Sequence, residues 1–167
     1  MSSFFEKLFG GKKDAAPQPQ VDVAAAPSFE PAADLRKVAS LKEAVVLFVD
    51  DDPDLRIYIH EELSDYFMTV LVARDGTDAL EMLKANPNVD VIISDVMMPE
   101  MDGLTFCRAV KRNPETRDIA FILLTARADK KSEAAGYNDR ADAFISKPFD
   151  IDDLISKIES LAVSPNK

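Results

Sequence analysis

From Ala44 onward, short apolar runs alternate with segments of helical period. The runs are AVVLFV (44–49), TVLVA (69–73), VDVIIS (89–94), IAFILLT (119–125) and ADAFIS (141–146). Unbroken Val/Ile/Leu stretches predict strands covered on both faces, because a strand with one wet face alternates apolar and polar residues. Between the runs lie DLRIYIHEELSDYF, GTDALEMLKANPN, DGLTFCRAVKR and a weaker ADKKSEAAGYNDR. A last helix is predicted from Ile151, Leu154, Ile155, Ile158 and Leu161, which recur at the spacing of one helical face. Strand alternating with helix implies right-handed βαβ units. The predicted fold class is therefore α/β, with a doubly wound five-stranded parallel sheet and helices on both faces. In such sheets the ligand crevice lies at the carboxyl ends of the strands.

The pattern is absent before Ala44. Residues 14–33, DAAPQPQVDVAAAPSFEPAA, are rich in Ala and Pro and read as an extended linker. ADLRKVASLKEA (33–44) is expected to form a short helix through Leu35, Val38 and Ala39. The expected division is a short amphipathic segment over 1–13, a linker with that helix over 14–43, one domain over 44–163 and a tail over 164–167. In the first segment Phe4, Phe5, Leu8 and Phe9 fall on one helical face, with Lys7, Lys12 and Lys13 available to anionic headgroups. That suits an in-plane membrane anchor or a peptide docking into a partner's groove, and nine residues would fold only when bound.

Charge and composition narrow the function classes. The net charge is -10, and residues 1–43 hold six basic and six acidic residues, so the whole excess belongs to 44–167. A field of that sign disfavours contact with phosphate backbones, so no nucleic-acid partner is expected. A single cysteine, Cys107, cannot make an internal disulfide and reads as a small buried hydrophobe. One histidine and no cysteine cluster offer no zinc site. No apolar stretch approaches the ~20 residues that span a bilayer. Glu6 and Lys7 interrupt the apolar stretch that a secretion signal needs. The expected location is cytoplasmic, peripheral to the inner membrane face or partner-bound if the first segment docks there.

The chemistry sits at the predicted strand ends. Asp50 and Asp51 follow the first run, Asp95 follows the third, Thr125 closes the fourth and Lys147 follows the fifth. Carboxylates ~5 Å apart at an effective dielectric of ~20 repel by about 3 kcal/mol per pair, so three together cost roughly 10. Lys147 offsets only part of that. A divalent cation removes most of it, and hard oxygen ligands favour Mg²⁺ or Ca²⁺. Mg²⁺ held by one or two carboxylates usually shares its shell with phosphate oxygens, which points to phosphoryl chemistry.

With VDDDPD, ISDVMMPEMDG, LLTA and SKPF in order and at matching intervals, the chain resembles the receiver domain of bacterial two-component response regulators over roughly 43–163. The resemblance brings with it a flavodoxin-like sheet of order 2-1-3-4-5. It implies that Asp95 is the phosphoacceptor, and that Asp50, Asp51, Asp95 and the backbone carbonyl of Met97 hold Mg²⁺. It implies further that Lys147 pairs with the carboxylate and then the phosphoryl group, that Thr125 hydrogen-bonds a phosphoryl oxygen, and that Phe144 is a rotating switch aromatic. The donor would be a histidine kinase or a histidine phosphotransfer protein. Pro148 resembles the family's cis-proline. An aspartate is already ionised at neutral pH, so Asp95 needs no general base. The chain is then a stoichiometric phosphoacceptor rather than an enzyme.

Several residues test the resemblance. Asp52 reads as the cap of the following helix, with Pro53 in its first turn. Arg140 stands where the family usually has Gly, which puts a standard loop before the fifth strand in doubt, with Gly136 as a substitute turn residue. Phe144 lacks the hydroxyl that some family members carry there. His60 reads as an ordinary helix residue, and Met97, Met98 and Met101 as loop and core packing. Met97 and Arg127 flank the expected phosphoryl site. Only AVSPNK follows the last helix, so output is expected through protein–protein contact, with the oligomeric state open. The competing reading is a scaffold that uses the fold without phosphorylation. An aspartyl phosphatase of the haloacid dehalogenase kind would need a second acid two positions after Asp95, where Met97 stands.

Overall fold

A computed structural model describes residues 35–126 and 139–163. The elements follow the predicted alternation: β1 (Val45–Val49), α1 (Pro53–Ser64), β2 (Thr69–Ala73), α2 (Gly76–Ala85), β3 (Val91–Asp95), α3 (Gly103–Arg112), β4 (Ala120–Ala126), β5 (Ala143–Lys147) and α4 (Ile151–Ala162). All pairings are parallel, and the sheet order is β2-β1-β3-β4-β5. The segment predicted as a weaker helix, 128–140, falls almost wholly outside the described residues.

The continuous apolar runs have the meaning expected of them, since β1 is buried at every position and β3 at all but its last. Alternate residues serve opposite faces. Val46, Phe48, Ile93 and Ile122 pack beneath α1 and α4, with Leu55, Ile59, Leu154 and Ile158. Leu47, Val49, Ile92, Phe121 and Leu123 pack beneath α2 and α3, with Ala79, Leu83, Phe106 and Val110. Phe106 meets Phe121 edge-on, with ring centroids 5.3 Å apart. Burying Cys107 in this second layer pushes its thiol pKa up to about 12, so it is the small hydrophobe the sequence suggests.

Helix starts depend on aspartates. Asp52 accepts from Asp54 N at 2.9 Å and Leu55 N at 3.3 Å. Asp75 accepts from Asp78 N at 2.9 Å and Asp102 from Thr105 N at 2.7 Å. Each satisfies amides that have no partner inside the helix.

Two expectations need correction. Residues 35–40 are not helical, and only Leu41–Glu43 form a short 3-10 turn. The segment lies across the amino-terminal end of the sheet instead. Leu35 is buried in the α1/α4 layer. Arg36 donates to the carbonyls of Pro87 (2.7 Å) and Glu115 (3.0 Å), and its amide donates to Asp118 O at 2.8 Å. Val38 pairs in parallel with Val163 after α4, and the Lys37 ammonium donates to Leu161 O. Helical spacing of Leu35, Val38 and Ala39 is overruled by these long-range contacts. The second correction concerns Arg140, which takes the left-handed conformation itself, at φ 67°. The glycine-type turn is thus kept with an arginine in it, and Gly136 lies outside the described residues.

Candidate functional site

The parallel sheet brings the carboxyl ends of β1, β3, β4 and β5 to one rim, and with them every polar group singled out by position. Asp50 follows β1 and is 1% exposed. Its Oδ1 accepts from Asp52 N at 2.9 Å and its Oδ2 from the Lys147 ammonium at 3.0 Å. Asp95 ends β3 half-buried, its Oδ1 accepting from Val96 N at 2.9 Å and lying 3.3 Å from Lys147 Nζ. Asp51 is exposed beside them. Asp50, Asp51 and Asp95 each offer an oxygen within 4.8 Å of the others.

The electrostatics follow from this crowding. Burial raises the Asp95 pKa above 3.8; Lys147 opposes the rise and Asp50 adds to it. Asp50 is raised in the same way, burial prevailing over Lys147 and the Asp52 amide. Burial works to lower the Lys147 pKa, but attraction to Asp50 and Asp95 prevails and raises it above 10.5. One ammonium therefore serves two carboxylates, and a third stands nearby.

Thr125 lies at the end of β4, 1% exposed, opposite Ser146 in the register. Its Oγ1 is buried without a hydrogen-bond partner among the described residues. A buried hydroxyl left unpaired costs on the order of 1–3 kcal/mol, so this orphan fits a site shaped for acceptor oxygens absent from the protein itself. The carboxylate trio and the orphan together fit a hard divalent cation and a phosphoryl group. Phe144 lies half-buried in β5 against the α2/α3 layer. Met97 is two residues past Asp95 and 73% exposed. The Lys147–Pro148 peptide is cis. His60 is exposed on α1, away from the constellation. Arg127 lies outside the described residues.

Two contributors were not singled out from sequence. Arg56, on the second turn of α1, donates to the Asp50 carbonyl at 2.6 Å and holds the β1–α1 turn. Its sequence position gave no sign of this. Gly103 opens α3 with its backbone pressed on Asp95, and the Asp102-Gly103 pair at a helix start was the available signal.

Comparison with known proteins agrees with this geometry. The model of the response regulator receiver domain matches residues 46–159. Response regulator MprA of Mycobacterium ulcerans (strain Agy99) is 37% identical over 116 residues, covering 70% of this chain and 49% of its own length. The chain thus spans about half the length of the curated relatives it matches. Among solved structures, the receiver domain of a signal transduction histidine kinase from Syntrophus aciditrophicus superposes with a TM-score of 0.67 at 34% identity, covering 71% of this chain and 89% of that one. Chemotaxis protein CheY4 of Vibrio cholerae gives a TM-score of 0.66 at 31% identity, covering 71% and 98%.

Proposed function

The chain belongs to the response regulator receiver domain family of two-component signalling, and on that premise we propose that it takes up a phosphoryl group on Asp95. The observation that carries the reading is the buried Thr125 hydroxyl, without a partner among the described residues, at the same rim as Asp95 and Lys147.

The Asp95 carboxylate, ionised at neutral pH, attacks phosphorus in line as the bond from phosphorus to the donor's histidine nitrogen breaks. The electron pair leaves with the imidazole. Lys147, already 3.3 Å from Asp95 Oδ1, stays with the charge as it spreads onto phosphoryl oxygens. Thr125 donates to one of those oxygens. Asp50, Asp51 and Asp95, with the Met97 carbonyl, are the groups that would hold Mg²⁺. Bound there, Mg²⁺ supplies neutralisation of the transferring group's charge. Arg56 and the Asp52 amide keep Asp50 oriented.

A partner histidine kinase or phosphotransfer protein is the donor, and altered contact with another protein is the output. Turning of Phe144 as Thr125 engages the phosphoryl group couples the site to that surface. Among the described residues, no helix is long and apolar enough to cross a membrane. Residues 1–13 lie outside the described residues; their docking on an anionic membrane or a partner rests on the Phe4, Phe5, Leu8, Phe9 face alone.

Beryllofluoride, a phosphoryl mimic, tests the site. In the presence of Mg²⁺ it should shift the amide resonances of Asp95, Thr125 and Phe144, and Asp95→Asn should abolish all three shifts. Shifts that persist in Asp95→Asn, or none in the parent, would refute the assignment and leave the scaffold reading.

A further inference from the structure

At the end of the sheet opposite Asp95, cations gather around a cavity of about 430 Å³ lined by Arg108, Lys111, Arg112, Arg117, Asp139 and Arg140. They come from the last turns of α3 and from the loops that enter β4 and β5. Two are already paired. Arg108 forks onto Asp139 at 2.8 and 2.9 Å. The Lys111 ammonium donates to Asp142 and to the carbonyls of Arg117 and Ile119, so its three protons are engaged. Of the other three guanidiniums, only Arg117 has a carboxylate within ion-pair distance among the described residues, that of Asp118 at 3.9 Å.

This arrangement is unusual on a chain of net charge -10. It also works against the fold. Like charges repel across the cavity, and Arg140 occupies a left-handed conformation (φ 67°) that glycine adopts freely. A non-glycine residue held in a sparsely populated backbone region is a feature that clusters at functional sites. The volume lies within the range of small-molecule pockets. Planar guanidinium forks match phosphate oxygens in pairs, and three of them suit more charge than one carboxylate carries.

We propose that this cavity binds a small molecule carrying two or more phosphate groups, held by Arg112, Arg117 and Arg140. The site is separate from Asp95 and does not depend on the phosphoacceptor reading. The acidic surface elsewhere on the domain disfavours nucleic acid as the occupant.

Calorimetric titration of the full chain with pyrophosphate, in a chelator-containing buffer that keeps divalent ions from the carboxylates, tests the proposal. Saturable one-to-one binding is expected. Arg112→Ala and Arg140→Gly should each weaken it roughly tenfold. Arg74→Ala, an exposed arginine outside the cavity, should leave it unchanged. Arg140→Gly should also raise the melting temperature, which separates lost binding from lost folding. No saturable binding, equal weakening by Arg74→Ala, or unimpaired binding by Arg140→Gly would overturn the assignment. Tighter binding of a polyglutamate peptide than of pyrophosphate would overturn it too, by making the occupant an acidic polypeptide.

Discussion

A Cβ built on Gly103 would stand 2.1 Å from the carbonyl oxygen of Asp95. No real carbon sits that close to backbone oxygen, so the first residue of α3 must be glycine for the strand that carries Asp95 to end where it does. Gly103 N also donates to Val96 O at 2.9 Å, which ties the two segments together. At Gly76 the added carbon would meet the Met101 side chain at 2.7 Å, and a thioether chain can move aside.

Gly103→Ala is therefore expected to cost about 2 kcal/mol or more, as overpacking against an unyielding wall does. Gly76→Ala should cost clearly less. Urea midpoints of the two variants check the order, and a Gly103→Ala midpoint equal to the parent's would show that the approach is not tight.

The crowded carboxylates predict a dependence on pH and metal. Burial raises the folded pKa of Asp95 and Asp50, so the folded state holds protons that the unfolded chain has released. The stability this gives is complete below about the ordinary value of 3.8 and is lost as pH rises through the raised folded values. Without metal, Asp95→Asn should accordingly raise the urea midpoint at pH 7, and the gain should vanish at pH 3. Mg²⁺ at ten times its Kd should stabilise the parent by about 1.4 kcal/mol at pH 7. Asp51→Asn should lose most of that gain, and should itself raise the metal-free midpoint slightly, because Asp51 adds to the repulsion at Asp50.

Cys107 predicts a second pH effect. Its thiol is raised to about 12 by burial, from an ordinary 9.0, so the folded chain keeps a proton that the unfolded chain loses. Its contribution is intact below pH 9 and declines between about pH 9 and 12. At pH 8 a thiol reagent should label the native protein far more slowly than protein in urea. Equal rates would mean that the α2/α3 layer opens freely.

Leu35 is expected to behave as a core residue. Leu35→Ala should cost about 2–3 kcal/mol, typical of a buried leucine. Arg36→Ala, which strands the carbonyls of Pro87 and Glu115 at a solvent-exposed edge, should cost about 1 kcal/mol. Both are read from urea unfolding, and a neutral Leu35→Ala would restore the segment to the linker.

The legibility of the sequence followed the range of its interactions. Strands announced themselves because burial on both faces demands unbroken apolar runs, and the polar residues that broke those runs marked the rim. Asp50, Asp95, Thr125 and Lys147 were thus visible as a set before any geometry. What stayed hidden depends on partners distant in sequence. Val38 chooses extended pairing because Val163 is there to meet it. Asp142, read as part of a strand, instead lies just before β5 and holds Lys111 in a buried ion pair at 2.5 Å. Arg140 shows a third kind of limit: it takes a glycine-like conformation against its own preference.

Asp95 is the proposed phosphoryl acceptor. Incubation of the full chain with acetyl phosphate and Mg²⁺, followed by peptide mass spectrometry, tests it directly. One hydroxylamine-labile phosphoryl group should appear on the peptide containing Asp95, and both Asp95→Asn and removal of Mg²⁺ should abolish it. Labelling of Asp95→Asn to the parent's extent, or no label on the parent at saturating donor, would contradict the account.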